Sequence, residues 1–213
     1  MYAPSHFEET RLDALHALVA AHPLGTLITH TPDGLDADHI PFEIAAPTAQ
    51  APFGTLRAHV ARANPLWRQA GAQALVVFQG PSAYVSPSLY AEKQVSGKVV
   101  PTYNYAVVHA HGVLRAIEDP AWILALLTRL TGHHEAARAA PWAVADAPAE
   151  YIETLLKAIV GIEIPLDRLQ GKWKLSQNRP SVDQAAVAQD LANANTGAQD
   201  GAGMAALMRA RFS

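Results

Sequence analysis

Between residues 24 and 117 the chain reads as strand after strand, and nothing between those strands is long enough to act as a crossover helix. Strand-like runs occur at 24–29, 38–44, 53–59, 74–78, 83–86 and 102–117. The Pro32-Asp33-Gly34 turn joins the first two, and Gly80-Pro81 separates the fourth from the fifth. The one helical interruption is short. Asn64 caps it, Pro65 suits its first position, and Gly71 ends it. Strands joined by turns pair antiparallel, so the pattern predicts a mainly antiparallel β fold with helical additions, an α+β arrangement. A doubly wound nucleotide-binding fold would need regular βα alternation and a Gly-x-Gly-x-x-Gly turn, and the chain has neither.

Helical spacing appears outside this region. Leu12, Leu15, Leu18 and Val19 predict a helix over 10–21, with Thr10 and Asp13 as its capping pair. Asp119-Pro120 opens a second, and Tyr151, Ile152, Leu155, Leu156 and Ile159 mark a third over 148–160, stopped by Gly161. Short strands at 162–165 and 172–176 are expected to rejoin the sheet. These readings predict one domain over 1–180 with a helical insertion at about 119–160. A C-terminal tail over 181–213 would follow, flexible over about 193–203 and weakly helical at 204–208.

Half of the 213 residues are hydrophobic and 16% are charged, enough apolar surface for a real core. No run approaches the roughly 18 apolar residues of a membrane span. The opening residues, Met1 to Glu9, are neither basic nor followed by an apolar signal core, so a cytoplasmic protein is expected. Cysteine is absent, which excludes disulfides, thiolate catalysis and thiolate metal sites. Sixteen Lys and Arg against nineteen Asp and Glu give a formal charge of −3. The densest basic cluster, Lys172, Lys174 and Arg179, lies near Asp167 and Asp183. DNA binders draw most of their affinity from a concentrated basic face, so DNA is a partner that the charge does not support.

Three segments carry candidate chemistry. In Arg57 to Pro65 a strand ends, His59 and Arg62 flank the connection, and a helix begins. Free N–H groups beside a guanidinium suit a phosphate, while the same residues also make an ordinary capped helix with a solvated Arg. In Pro101 to Gly112, His109 and His111 share one strand face, as do Tyr103 and Tyr105. Two histidines without a third ligand make no metal site, and His133-His134-Glu135 lacks the zinc-protease spacing, so no metal is expected. In Gly171 to Arg179, Lys172, Lys174 and Ser176 alternate with Trp173 and Leu175, a polar face set against an apolar one.

In this order the segments resemble the PaiB-type FMN-binding negative transcriptional regulators. The matching pieces are Met1-Tyr2-x-Pro4-x-His6-Phe7, His39-Ile40-Pro41-Phe42 and His59-Val60-Ala61-Arg62-Ala63-Asn64-Pro65. Then come Phe78-Gln79-Gly80-Pro81-x-Ala83-Tyr84-Val85-Ser86-Pro87, Pro101-Thr102-Tyr103-Asn104-Tyr105, Val108-His109-Ala110-His111-Gly112 and Gly171-Lys172-x-Lys174-Leu175-Ser176-Gln177-Asn178-Arg179. The resemblance implies an FMN-binding split β-barrel that works as a homodimer, with the flavin in a groove between subunits. It implies that His59, Arg62 and Asn64, with Val60 beside them, hold the flavin phosphate. His39, Pro41, Thr102, Tyr103 and Asn104 would line the ring or partner side, and Lys174, Gln177 and Asn178 would close the pocket. Tyr103 stands where the family commonly has Trp, Leu89 where a Trp precedes Tyr90, and Ala58 where a Gly precedes the histidine.

The function implied is a flavin-binding or ligand-responsive negative regulator. The alternatives are a flavin-dependent oxidoreductase, of the reductase, pyridoxamine-phosphate-oxidase or haem-degrading kind, and a binding module without redox chemistry. Fold does not choose among them.

Overall fold

The computed structural model describes residues 1–193 and 200–212. Its strands and helices run β1 (Glu8–Glu9), α1 (Leu12–Ala21), β2 (Leu24–Thr31), β3 (Gly34–Pro41), β4 (Glu43–Ala45), β5 (Thr55–Ala61), β6 (Gln73–Val85) and α2 (Glu92–Val95). They continue β7 (Thr102–Val113), β8 (Arg115–Ile117), α3 (Pro120–Glu135), α4 (Ala149–Leu156), β9 (Ile159–Lys174), α5 (Ser181–Asn193) and α6 (Gly201–Phe212). The linker expected over 193–203 falls mostly on residues outside those described. The helix expected over 204–208 is part of the longer α6. No helix among the described residues is long and apolar enough to cross a membrane.

The chain builds two compact units, each fed by parts of β6, β7 and β9. One comprises Met1–Ala21, Gln79–His109 and Gln170–Ser213, and the other His22–Phe78 and Ala110–Leu169. The hydrogen-bonded strand order is β3-β2-β6-β7-β9-β5-β4, and β1 and β8 also pair β9. Strand β2 runs antiparallel to β3 and β6, and β5 antiparallel to β4 and β9. The β2–β3 hairpin closes where the sequence places its turn. Thr31 pairs Gly34, whose φ of +120° lies in the region that glycine adopts without penalty, and the Thr31 hydroxyl donates to the Gly34 carbonyl. On β5 the period of two sends Leu56, Ala58 and Val60 into the core, and the opposite face carries Arg57 and His59. Arg57 sits opposite Glu163 on β9, with its Nε 3.3 Å from the carboxylate.

Four readings change here. The short strands expected at 162–165 and 172–176 are one strand, β9, and the strand expected over 38–44 divides at Phe42 into the end of β3 and β4. Residues 73–85 form one strand, not two separated by a turn, because Gly80 is needed for close approach. A Cβ on Gly80 would come within 2.8 Å of Leu18 Cδ1 on α1. Gly161 likewise does not stop a helix. α4 ends at Leu156, and Gly161 lies within the sixteen-residue β9, where a Cβ would meet the Trp122 ring at 2.5 Å. The long strand expected over 102–117 is nearly continuous. It breaks at Leu114, whose N–H leaves the ladder for the Ala72 carbonyl while its own carbonyl accepts from Gly71.

In the first unit β1 pairs the end of β9, Glu8 opposite Lys172 and Glu9 opposite Gly171. Glu9 is buried yet satisfied. It accepts from the Arg11 backbone N–H at 2.9 Å and from that guanidinium at 3.0 and 2.8 Å, and Arg211 of α6 stands 3.6 Å away. Helices α5 and α6 bury Val187, Leu191, Met204 and Met208.

Candidate functional site

The residues singled out from sequence fall into two clusters, one per unit. In the first unit, β7 begins with Thr102, Tyr103 and Asn104, and β9 ends at Lys174, just before a turn that carries Gln177 and Asn178. Lys174 Nζ donates to the Thr102 hydroxyl and, at 2.8 Å, to the Tyr103 carbonyl. Asn104 is fully buried and meets the Ser176 hydroxyl at 3.0 Å. Ser176 has φ +68°, the only non-glycine residue with a positive φ in the described chain, and it costs strain that the surrounding bonds must hold. Gln177 supplies part of that hold. Its side-chain oxygen accepts from the Leu175 N–H at 2.7 Å, and its amide donates to the Trp173 carbonyl.

Tyr103 of β7 is 54% exposed and Tyr84 of β6 42% exposed, their rings edge to face at 5.8 Å. Lys172 Nζ lies 5.2 Å from the Tyr105 ring and 5.7 Å from that of Tyr2. The unit therefore sets an exposed aromatic pair beside two lysines. Burial, with the nearby charges of Lys172 and Arg179, lowers the Lys174 pKa from its ordinary value.

Next to Lys174 is a recess of about 110 Å3. Thr102, Asn104, Lys174 and Asn178 line it, together with two residues the sequence reading did not assign to the site, Tyr90 and Arg179. Tyr90 is 2% exposed, and its hydroxyl has no hydrogen-bond partner among the described residues. The Arg179 guanidinium lies 4.4 Å from the Tyr90 ring centroid. Tyr90 belongs to a stretch with no apolar period, so nothing in its local sequence marks it as buried. Arg179 is visible in sequence only as part of a basic cluster.

In the second unit, His39 and Pro41 are exposed on β3 and Val60 is a core residue of β5. Arg62 and Asn64 have intrachain work. Arg62 Nη1 donates to Glu118 at 2.6 Å and its Nε to the Lys157 carbonyl at 2.9 Å. Asn64 caps the following turn by accepting from the Leu66 N–H at 2.8 Å, and its amide donates to Asp38 at 2.7 Å. A phosphate at this strand end would compete with Glu118 for the guanidinium. Pro41 and His59 line a separate, largely apolar recess of about 370 Å3 with Leu127, Leu130, His134 and Trp142. Burial lowers the His59 pKa, and Nδ1 of the ring has no partner among the described residues. Three residues of that recess, Leu127, Leu130 and His134, come from one face of α3. Helical spacing finds the face but not its strand partner. Among the described residues no group of three or more His, Asp or Glu could hold a metal ion.

Residues 1–168 match a family described as "Putative FMN-binding domain". Among curated relatives, a protein of Emericella nidulans is 34% identical over 93% of this chain and 93% of its own length. The Bacillus subtilis protein named Protease synthase and sporulation protein PAI 2 is 32% identical, covering 91% of this chain and 90% of its own. Among solved structures, the FAD and heme binding protein of Mycobacterium smegmatis superposes with a TM-score of 0.58 at 17% identity, over 84% of this chain and 78% of that one. The flavocytochrome Anf3 of Azotobacter vinelandii does so with a TM-score of 0.58 at 14% identity, over 84% and 75%. The fold is thus the antiparallel split barrel, as the strand pattern and the resemblance led one to expect.

Proposed function

The chain belongs to this FMN-binding domain family, and on that premise we propose that it binds FMN and acts, as a homodimer, as a ligand-responsive regulator of the PaiB type. The observation that carries the flavin reading is the exposed Tyr84–Tyr103 pair beside Lys174 in the first unit. An aromatic edge offers contact area for an isoalloxazine, and adjacent cations favour its electron-rich and anionic parts. Thr102, Asn104, Gln177 and Asn178 shape this place, Gln177 by bracing the turn. Flavin, when bound, supplies hydride and electron transfer through its ring. In this reading His39, Pro41 and His59 offer a second contact surface, and Val60, Arg62 and Asn64 fix the strand end that presents it.

Regulation is placed before turnover on the resemblance to the PaiB-type regulators; because a flavin carries its own redox chemistry, the arrangement of acids and bases does not choose between the two. With a charge of −3, the regulator is expected to work chiefly through its ligand or a protein partner, and to hold DNA only at low salt.

The test is an FMN titration of the purified chain, followed by flavin fluorescence and repeated on Tyr103→Ala. Losing one aromatic contact, worth about 0.5–1.5 kcal/mol, should raise Kd by roughly two- to tenfold. Absence of binding up to about 1 mM, near −4 kcal/mol, would end the flavin reading. Retention on DNA that falls steeply with salt would support direct operator binding, whereas steady NADH oxidation would move the protein to the oxidoreductases.

A further inference from the structure

Resting on the flavin reading, we propose that the recess bounded by Tyr90, Lys174 and Arg179 is an oxyanion site that takes a phosphate group. Two cations line it and no carboxylate does. Asp183, a buried acid in the first turn of α5, is not among the residues lining the recess, and its Oδ1 accepts from the N–H of Ala91, the neighbour of Tyr90, at 2.9 Å. The Arg179 guanidinium pairs with no carboxylate among the described residues. Its Cζ lies 4.4 Å from the centroid of the Tyr90 ring, and a guanidinium held without a carboxylate partner has donors to offer a bidentate oxyanion.

The Tyr90 hydroxyl is the second, independent sign. A buried donor without an acceptor is rare in native proteins, and such an exception calls for a ligand or an ordered water. A phosphate oxygen would accept from it. Size agrees. About 110 Å3 holds roughly three to four waters at ~30 Å3 each, which suits a phosphate group. It is well below the roughly 300 Å3 at which cofactor-sized pockets begin, so an isoalloxazine would have to lie outside. Lys174 is held below its ordinary pKa first by burial and then by the charges of Lys172 and Arg179, and an anion in the recess would offset all three. The strained Ser176, paired with Asn104 at the recess wall, is the kind of local cost that recurs at binding sites.

A phosphate monoester end of FMN and free inorganic phosphate share this chemistry, and calorimetric titration of the full chain separates them. Riboflavin, FMN and inorganic phosphate are titrated at fixed ionic strength against the native protein, Tyr90→Phe and Arg179→Gln. Tyr90→Phe keeps the ring and its packing, so it isolates the hydroxyl, and melting curves confirm that each variant folds.

If FMN phosphate is the occupant, FMN binds at least tenfold tighter than riboflavin and inorganic phosphate competes with it. Both variants then bring FMN down to the riboflavin level without changing riboflavin. If neither flavin binds but inorganic phosphate does, and both variants abolish that binding, the recess stands with free phosphate as its ligand and the flavin reading falls. Equal binding of FMN and riboflavin, or an FMN preference that survives both variants, overturns the recess and leaves the flavin reading intact. No binding of any of the three overturns both.

Discussion

Arg62 Nη1 stands 2.6 Å from Oε2 of Glu118, and the same guanidinium reaches the Lys157 carbonyl, so one side chain joins the end of β5 to the segments before and after the two insertion helices. Both partners are partly exposed, which limits the ion pair itself to about 0–1 kcal/mol. The carbonyl bond adds about as much again. Arg62→Ala is expected to lower stability by about 1–2 kcal/mol in a urea melt and to leave FMN affinity within about twofold of the native value. A tenfold loss of FMN binding with riboflavin unaffected would instead make Arg62 the phosphate anchor that the sequence resemblance implies.

Glu9 gives the protein an acid-side limit. Burial alone would raise its pKa, but the side-chain and backbone hydrogen bonds of Arg11 and the charges of Arg11 and Arg211 outweigh it, and the carboxyl ends below its ordinary 4.5. A carboxyl with a depressed folded pKa contributes stability above its unfolded pKa and loses it as pH falls through the folded one. The stability gap between native protein and Glu9→Gln should therefore be full at pH 6 and shrink progressively below about pH 4.5. A gap independent of pH between 6 and 3 contradicts this.

His59 acts at milder pH. Its imidazole is partly buried beside apolar side chains, and that burial lowers its pKa. The unfolded chain therefore takes up the proton first, and stability declines as pH falls below the unfolded value of about 6.5. Chemical denaturation between pH 7.5 and 5.5 should show this slope in the native protein and a flatter one in His59→Phe. Equal slopes would mean that the ring is solvated.

Two glycines of the second unit should respond in opposite directions to alanine. At Gly161 the new methyl would meet the Trp122 ring at 2.5 Å, and overpacking of this kind costs about 1–3 kcal/mol. At Gly132, within α3, nothing lies within 4 Å, and the change should stabilise by about 0.5–1 kcal/mol. A pair of melting curves decides both.

Period and punctuation made much of the fold readable. Leu56, Ala58 and Val60 alternate into the core as a strand should, and Pro32-Asp33-Gly34 turns where its residues demand. Two of the errors share one cause. Gly80 and Gly161 read locally as punctuation, yet each is glycine because a partner distant in sequence, Leu18 or Trp122, leaves no room for a Cβ. Local sequence cannot display that. The site divides in the same way. The Thr102–Lys174 contact joins two segments that the sequence had already picked out. Tyr90 and Arg179 come together through a loop and a strained turn for which sequence has no period to read.

The first unit is assembled from three stretches far apart in sequence, 1–21, 79–109 and 170–213, whereas the second is complete once residue 169 has been made. On a ribosome adding about 5–20 residues per second, the second unit can therefore settle first. Leu18 of α1 can already pack on Gly80 of the middle stretch, but the place of Leu15 against Gly171 is filled only once that part of β9 has been made. The ion pair between Arg211 and Glu9 has to wait for α6. A truncation of α6 would thus be felt at the opposite terminus, as exposed apolar surface and a target for chaperones or proteases on the newborn chain.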